Sequence, residues 1–202
     1  MKRIAMLLVC AALTVSALLT DASAATVHTV VPGDSLWKIA VKYEVGLSEI
    51  KNANTQIKNY DLIYPGQRIN IPATDSSVTN YEREVVRLVN NIRAENGLSA
   101  LTYDWELTRV ARVKSQDMKD NRYFAHNSPV YGTPYEMMRS FGITFRSAGE
   151  NIAKGYASPQ TVVNAWMNSP GHRANILNAS YTHIGVGYVS AGNHWTQMFI
   201  QK

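Results

Sequence analysis

Apolar positions along the chain fall into two blocks with different layouts. In the first, Val27–Val31 alternates weakly and stops at Pro32-Gly33, which predicts a short strand and a turn. Asp34 and Ser35 are favourable N-cap residues, and Leu36, Ile39, Ala40 and Tyr43 then recur at helical spacing. Gly46 is expected to break that helix, and Leu47–Ala53 to form a second one with Leu47 and Ile50 inward. Pro65-Gly66 predicts another turn, and Arg68–Ile71 a second strand that stops at Pro72. So small a strand–helix–helix–strand unit must pack tightly, and Trp37, Ile39, Leu62 and Ile69 are its expected core. Ala73–Thr79 is small, polar and without period, so it reads as a linker.

The second block starts near Asn80. Tyr81, Val85, Leu88, Val89 and Ile92 mark a helical stripe that Asn96-Gly97 ends. Asp104 is a candidate N-cap for a long helix through Leu107, Val110, Ala111, Ser115 and Met118, whose small residues would let another element approach closely. Thr133-Pro134 and Ser158-Pro159 each place a capping residue before a proline at the first helical position. The helix after Thr133-Pro134 is expected to end at Gly142, and Arg146–Ala153 reads as a strand. His183–Val189 and His194–Ile200 predict a hairpin around Ala191-Gly192-Asn193. Ahead of both strands lies NSPGHRANIL, residues 168–177, so dense in turn and polar residues that it reads as a shaped surface at one end of the domain. The class is α+β, with helices flanking a small, mostly antiparallel sheet.

Composition narrows the setting. Residues 1–24 hold Lys2 and Arg3, an apolar run over Ile4–Leu19 and the small-x-small signal Ala22-Ser23-Ala24, so a signal peptide is expected there rather than a stable membrane anchor. The one cysteine, Cys10, lies inside that segment, which leaves no disulfide or thiol chemistry for a mature chain. A net charge of +5 suits an acidic polymer such as a bacterial wall. The basic residues are scattered rather than clustered, which argues against nucleic acid. Nucleophile-elbow, HExxH and Walker-type motifs are absent, which disfavours the familiar esterase, zincin and nucleotide-hydrolase mechanisms.

Two resemblances organise these readings. HTVVPGDSLWKIAVKYEVGLSEIKNAN and LIYPGQRINIP, within residues 28–72, resemble a LysM module over its whole length. The resemblance implies a small βααβ fold across residues 25–72 that binds N-acetylglucosamine polymers, meaning peptidoglycan or a related glycan. Its groove would lie between two loops, with Gly33, Asp34, Ser35 and Leu36 on one side and Leu62, Ile63 and Tyr64 on the other. After the 73–79 linker, residues 80–202 carry YFAHNSP, AGENIA, GHRANIL and HWTQMF, which together resemble the CAP superfamily, also called SCP-like or PR-1-like. That resemblance implies a three-layer α–β–α sandwich.

The CAP resemblance also implies a cleft with two histidines and two acids, which in several relatives binds a divalent metal such as zinc. His126, Glu150 and His194 match that pattern and are the candidate metal ligands and the candidate catalytic residues. The second acid is expected three residues after Trp166, where this chain has Ser169. Ser169 and His172 are expected to line the cleft, with Arg173 and Asn175 bonded to backbone around it. The missing carboxylate favours binding over catalysis. The expectation is an exported, wall-associated protein, with a wall or spore-envelope protein as a further partner. The alternative is a wall-anchored, metal-assisted hydrolase working in the CAP cleft.

Overall fold

The computed structural model describes residues 26–73 and 76–202, so the expected signal peptide lies outside the described residues. The first unit runs β1 (Thr26–Thr29), α1 (Leu36–Tyr43), α2 (Leu47–Ala53) and β2 (Arg68–Ile71), with β1 and β2 paired antiparallel. Ser35 caps α1 by accepting from Lys38 N at 3.2 Å. The helix ends at Glu44, which takes a left-handed conformation, and not at Gly46, which instead caps the start of α2. Leu36, Ile39, Ile50, Ile69 and Ile71 form the core. Each fully buried aliphatic side chain contributes roughly 1.5–3 kcal/mol by leaving water.

Two expected core residues are not in it. Trp37 is 59% exposed and Leu62 51% exposed. Trp37 sits one position out of phase with the inward stripe of α1, and Leu62 lies in the loop before β2. Phase, not apolarity, decides which residues are covered.

The second unit runs α3 (Ser76–Glu95), β3 (Thr102–Tyr103), α4 (Trp105–Asp120), α5 (Pro134–Ser140), β4 (Ser147–Lys154), α6 (Pro159–Met167), α7 (Pro170–Ile176), β5 (His183–Val189) and β6 (His194–Gln201). Residues 76–79 of the expected linker are already helical, because Val78 packs onto the core and extends the stripe of α3 backwards. The sheet order is β3-β5-β6-β4, with β3 parallel to β5 and the other pairs antiparallel.

Three layers result. On one face Met198 and Ile200 pack against Leu107, Val110 and Ala111 of α4 and Met137 and Met138 of α5. On the other, Trp195 and Phe199 meet Val85 and Val89 of α3, Val162 and Trp166 of α6 and Ile176 of α7. This alternation along β6 is the period-2 signature of a strand covered on both faces. Close approach of α4 needs glycine on β5: a Cβ at Gly187 would stand 2.1 Å from the backbone of Ala111 and Arg112. The predicted caps at Asp104, Thr133 and Ser158 all form.

Candidate functional site

In the first unit, the α1 N-terminus and the loop before β2 enclose a groove of about 200 Å3. Asp34, Ser35, Leu36 and Ile63, all expected there, line it together with Leu47, Lys51, Tyr60 and Asp61. Leu62 and Tyr64 face a neighbouring hollow with Ile57 and Gln67 instead. Gly33 lines neither; its φ of +89° is the left-handed turn that glycine permits. Asp34 is tied down, accepting from Val31 N at 2.9 Å and meeting His28 Nε2 at 2.8 Å. The Val31 bond, then the His28 bond, hold its carboxyl below the usual carboxylate range. Lys51, Tyr60 and Asp61 were missed because α2 and the following loop reach the groove only through the fold.

In the second unit, β4 carries Glu150 inward and the loop after α4 carries His126 over it. His126 Nδ1 donates to Glu150 Oε1 at 2.7 Å. The Glu150 side chain is 2% exposed and that of His126 53% exposed. Burial pushes the Glu150 carboxyl above its usual range, while the His126 bond and the nearby Lys114 charge pull less strongly the other way. The Glu150 bond raises His126. The second carboxylate oxygen, Glu150 Oε2, is buried without a partner among the described residues.

Lys114 supports this pair from beneath and was not foreseen. It is fully buried on α4, and its Nζ donates to Ala125 O at 2.9 Å, His126 O at 2.6 Å and Tyr123 Oη at 3.0 Å. Burial lowers its pKa, partly offset by Glu150 and Asp117. Asp117 accepts from the hydroxyls of Tyr123 and Ser128, so the 123–128 loop is bonded to α4 at several points. A lysine in the middle of an amphipathic helix ordinarily reads as a solvated side chain, and no local signal marks this one as buried.

Within the stretch 168–177, residues Pro170–Ile176 form the helix α7. Pro170 occupies its first position, Gly171 is helical, and Asn175 Nδ2 reaches Glu150 O at 3.2 Å and Asn151 Oδ1 at 2.8 Å, whereas Arg173 lies exposed. Its backbone is gripped from below by Arg93, a buried guanidinium that donates to Ile176 O at 2.8 Å and Asn178 O at 2.9 Å. This helix brings His172 beside the His126 loop. Burial, and then the charge of His126, lower His172.

His194 is not brought to the pair. Glu150 pairs with Met198, while His194 pairs with Lys154 at the other end of the ladder. Four residues of strand separate the two positions, about 13 Å at the usual rise. His194 is buried, and its Nδ1 lies 3.3 Å from Ala191 O. The expected three-ligand set of His126, Glu150 and His194 is therefore not assembled. Among the described residues no group of three or more His, Cys, Asp or Glu could hold a metal ion. His126 has one ring nitrogen left after its bond to Glu150, so the donors do not fit a resident divalent ion. What the pair offers is an imidazole oriented by a buried carboxylate, with Nε2 free to hold or move a proton.

Comparison with known proteins places each unit in a family. Residues 86–202 match the model of CAP, the cysteine-rich secretory protein family, and residues 28–72 that of the LysM domain. Over 127 residues the chain is 60% identical to the uncharacterized protein YkwD of Bacillus subtilis, covering 63% of this chain and 49% of that one. Over 47 residues it is 51% identical to the spore coat assembly protein ExsA of Bacillus cereus, covering 23% and 7%. Among solved structures, an extracellular SCP-domain protein of Bacillus anthracis aligns with a TM-score of 0.61 at 36% identity, covering 68% of this chain and 47% of the other. The chain spans about half the length of the first curated relatives it matches.

Proposed function

Since the chain belongs to the CAP family of cysteine-rich secretory proteins and carries a LysM domain ahead of the CAP domain, we propose that it is an exported, cell-wall-associated protein. On this reading it binds peptidoglycan through residues 28–72, and its CAP domain is a binding or assembly module. The supporting observation is the groove in which Asp34, Ser35, Leu36 and Ile63 converge from two loops. Its carboxylate, hydroxyl and aliphatic groups suit a sugar carrying an acetamide. The net charge of +5 favours an acidic wall. Among the described residues no helix is long and apolar enough to cross a membrane. Similarity of the first unit to a spore coat assembly protein makes the spore envelope one setting to examine. Sedimentation with purified peptidoglycan tests the reading. The full chain should be retained, and deletion of residues 28–72 or Ile63→Asp should release it. Retention after the deletion would refute glycan binding by this module.

A second reading, a wall-anchored hydrolase, draws on the His126–Glu150 pair. An oriented imidazole can serve as a general base, worth about 10²–10⁴-fold in rate. Ser169, where a second acid was expected, withholds a two-carboxylate mechanism. Turnover of peptidoglycan fragments that falls by that factor in His126→Ala would support hydrolysis, and absence of turnover by the unaltered protein would end it.

A further inference from the structure

Beside the His126–Glu150 pair, the CAP domain carries a second groove of about 280 Å3 between β4, α6 and α7. Its apolar walls are Phe124, Ile152, Tyr156 and the edge of Trp166. Phe124 and Tyr156 are both exposed and line the same groove, so their rings form one shared apolar wall. The walls are held in place. Trp166 Nε1 donates to Ile152 O at 3.3 Å, and Trp195 Nε1 to Tyr156 O at 2.7 Å.

The polar lining is one-sided. It consists of Lys154, Ser169 and His172, with no carboxylate. All three can donate to an anion. Ser169 stands at the N-cap of α7 but makes no cap bond, unlike Ser35, Thr133 and Ser158 at their helices. Among the described residues, no side-chain hydrogen bond or ion pair engages Lys154, Ser169 or His172. Three unengaged donors beside aromatic walls complement a ligand that joins a small apolar body to a negative charge.

We propose that this groove binds the C-terminal carboxylate of a wall peptide ending in D-alanine, the alanyl methyl groups lying against Phe124 and Tyr156 and the carboxylate meeting Lys154, Ser169 and His172. The assignment rests on the wall-associated reading above, which supplies D-alanyl ends as the matching chemistry.

The test is calorimetric titration of the full chain with acetyl-Lys-D-Ala-D-Ala, its C-terminal amide and the all-L peptide. The free acid should bind, and amidation should weaken it roughly tenfold, as loss of a charged hydrogen bond does. Lys154→Gln should weaken it by a similar factor, and Ser169→Asp should abolish binding by repelling the carboxylate. Phe124→Ala should weaken acid and amide alike. Phe124 and Lys154 are exposed, so these variants should melt with the unaltered protein. Absence of binding at millimolar peptide, equal binding of acid and amide, or indifference to Lys154→Gln would each overturn the proposal. Equal or tighter binding of the all-L peptide would also overturn it, pointing to a protein C-terminus. The probes contain no sugar, so this result is read separately from retention on peptidoglycan by residues 28–72.

Discussion

Replacing Lys114 by methionine separates the two contributions of this buried cation. The thioether matches the length of the lysine stem and relieves the desolvation that depresses the ammonium. It also strands Ala125 O and His126 O, which lose their bonds to Nζ, while Tyr123 keeps its bond to Asp117. An unsatisfied buried acceptor costs roughly 1–3 kcal/mol, and these two lie at a half-buried boundary, so about 2–3 kcal/mol is expected in all. For a domain of this size that lowers Tm by about 8–12 °C. Urea or thermal unfolding followed by circular dichroism measures it. A second readout separates positioning from bulk stability. The Lys114 charge lowers His126, so its removal should raise the His126 pKa in an NMR titration. A Tm within about 2 °C of the unaltered protein, together with an unmoved His126 titration, would refute the view that Lys114 holds the His126 loop.

Glu150→Gln should lower the His126 pKa, because the carboxylate bond is the main cause of its elevation. Since the folded-state value is raised, His126 contributes stability that is fully present below about pH 6.5 and is lost as pH rises through the elevated value. Unfolding measured across that window should show the decline in the unaltered protein and a shallower one in Glu150→Gln. Gly187→Ala should destabilise by about 3 kcal/mol or more, because its methyl would fall on backbone atoms of α4 that cannot turn aside. A chevron or equilibrium melt showing less than about 1 kcal/mol would mean that α4 yields freely.

Much of the architecture was legible because it was written locally. The stripe Leu36, Ile39, Ala40 and Tyr43 specified α1, and the caps at Asp104, Thr133 and Ser158 formed where side-chain chemistry predicted them. The stretch 168–177 was read only as a surface dense in turn residues, yet proline is at home in a first helical turn and Pro170 opens α7. The site was less legible than the fold. The bond between His126 and Glu150 joins residues 24 apart, and the approach of His172 depends on where α7 docks. The separation of His194 from Glu150 follows from strand register, which fixes where each β6 side chain stands only once β4 is aligned.

The position of β6 carries a consequence for how the CAP domain comes into being. It comes last in sequence among the described strands, yet it lies between β5 and β4 and is buried along nearly its whole length. Until residues 194–201 are available, β4 has no partner in the sheet, and the helical layers can settle only on β5. Closing the sheet therefore requires pairing β6 with β4, a contact far apart in sequence, which slows the search. Loss of residues 194–201 would therefore remove the middle of the sheet and not its edge.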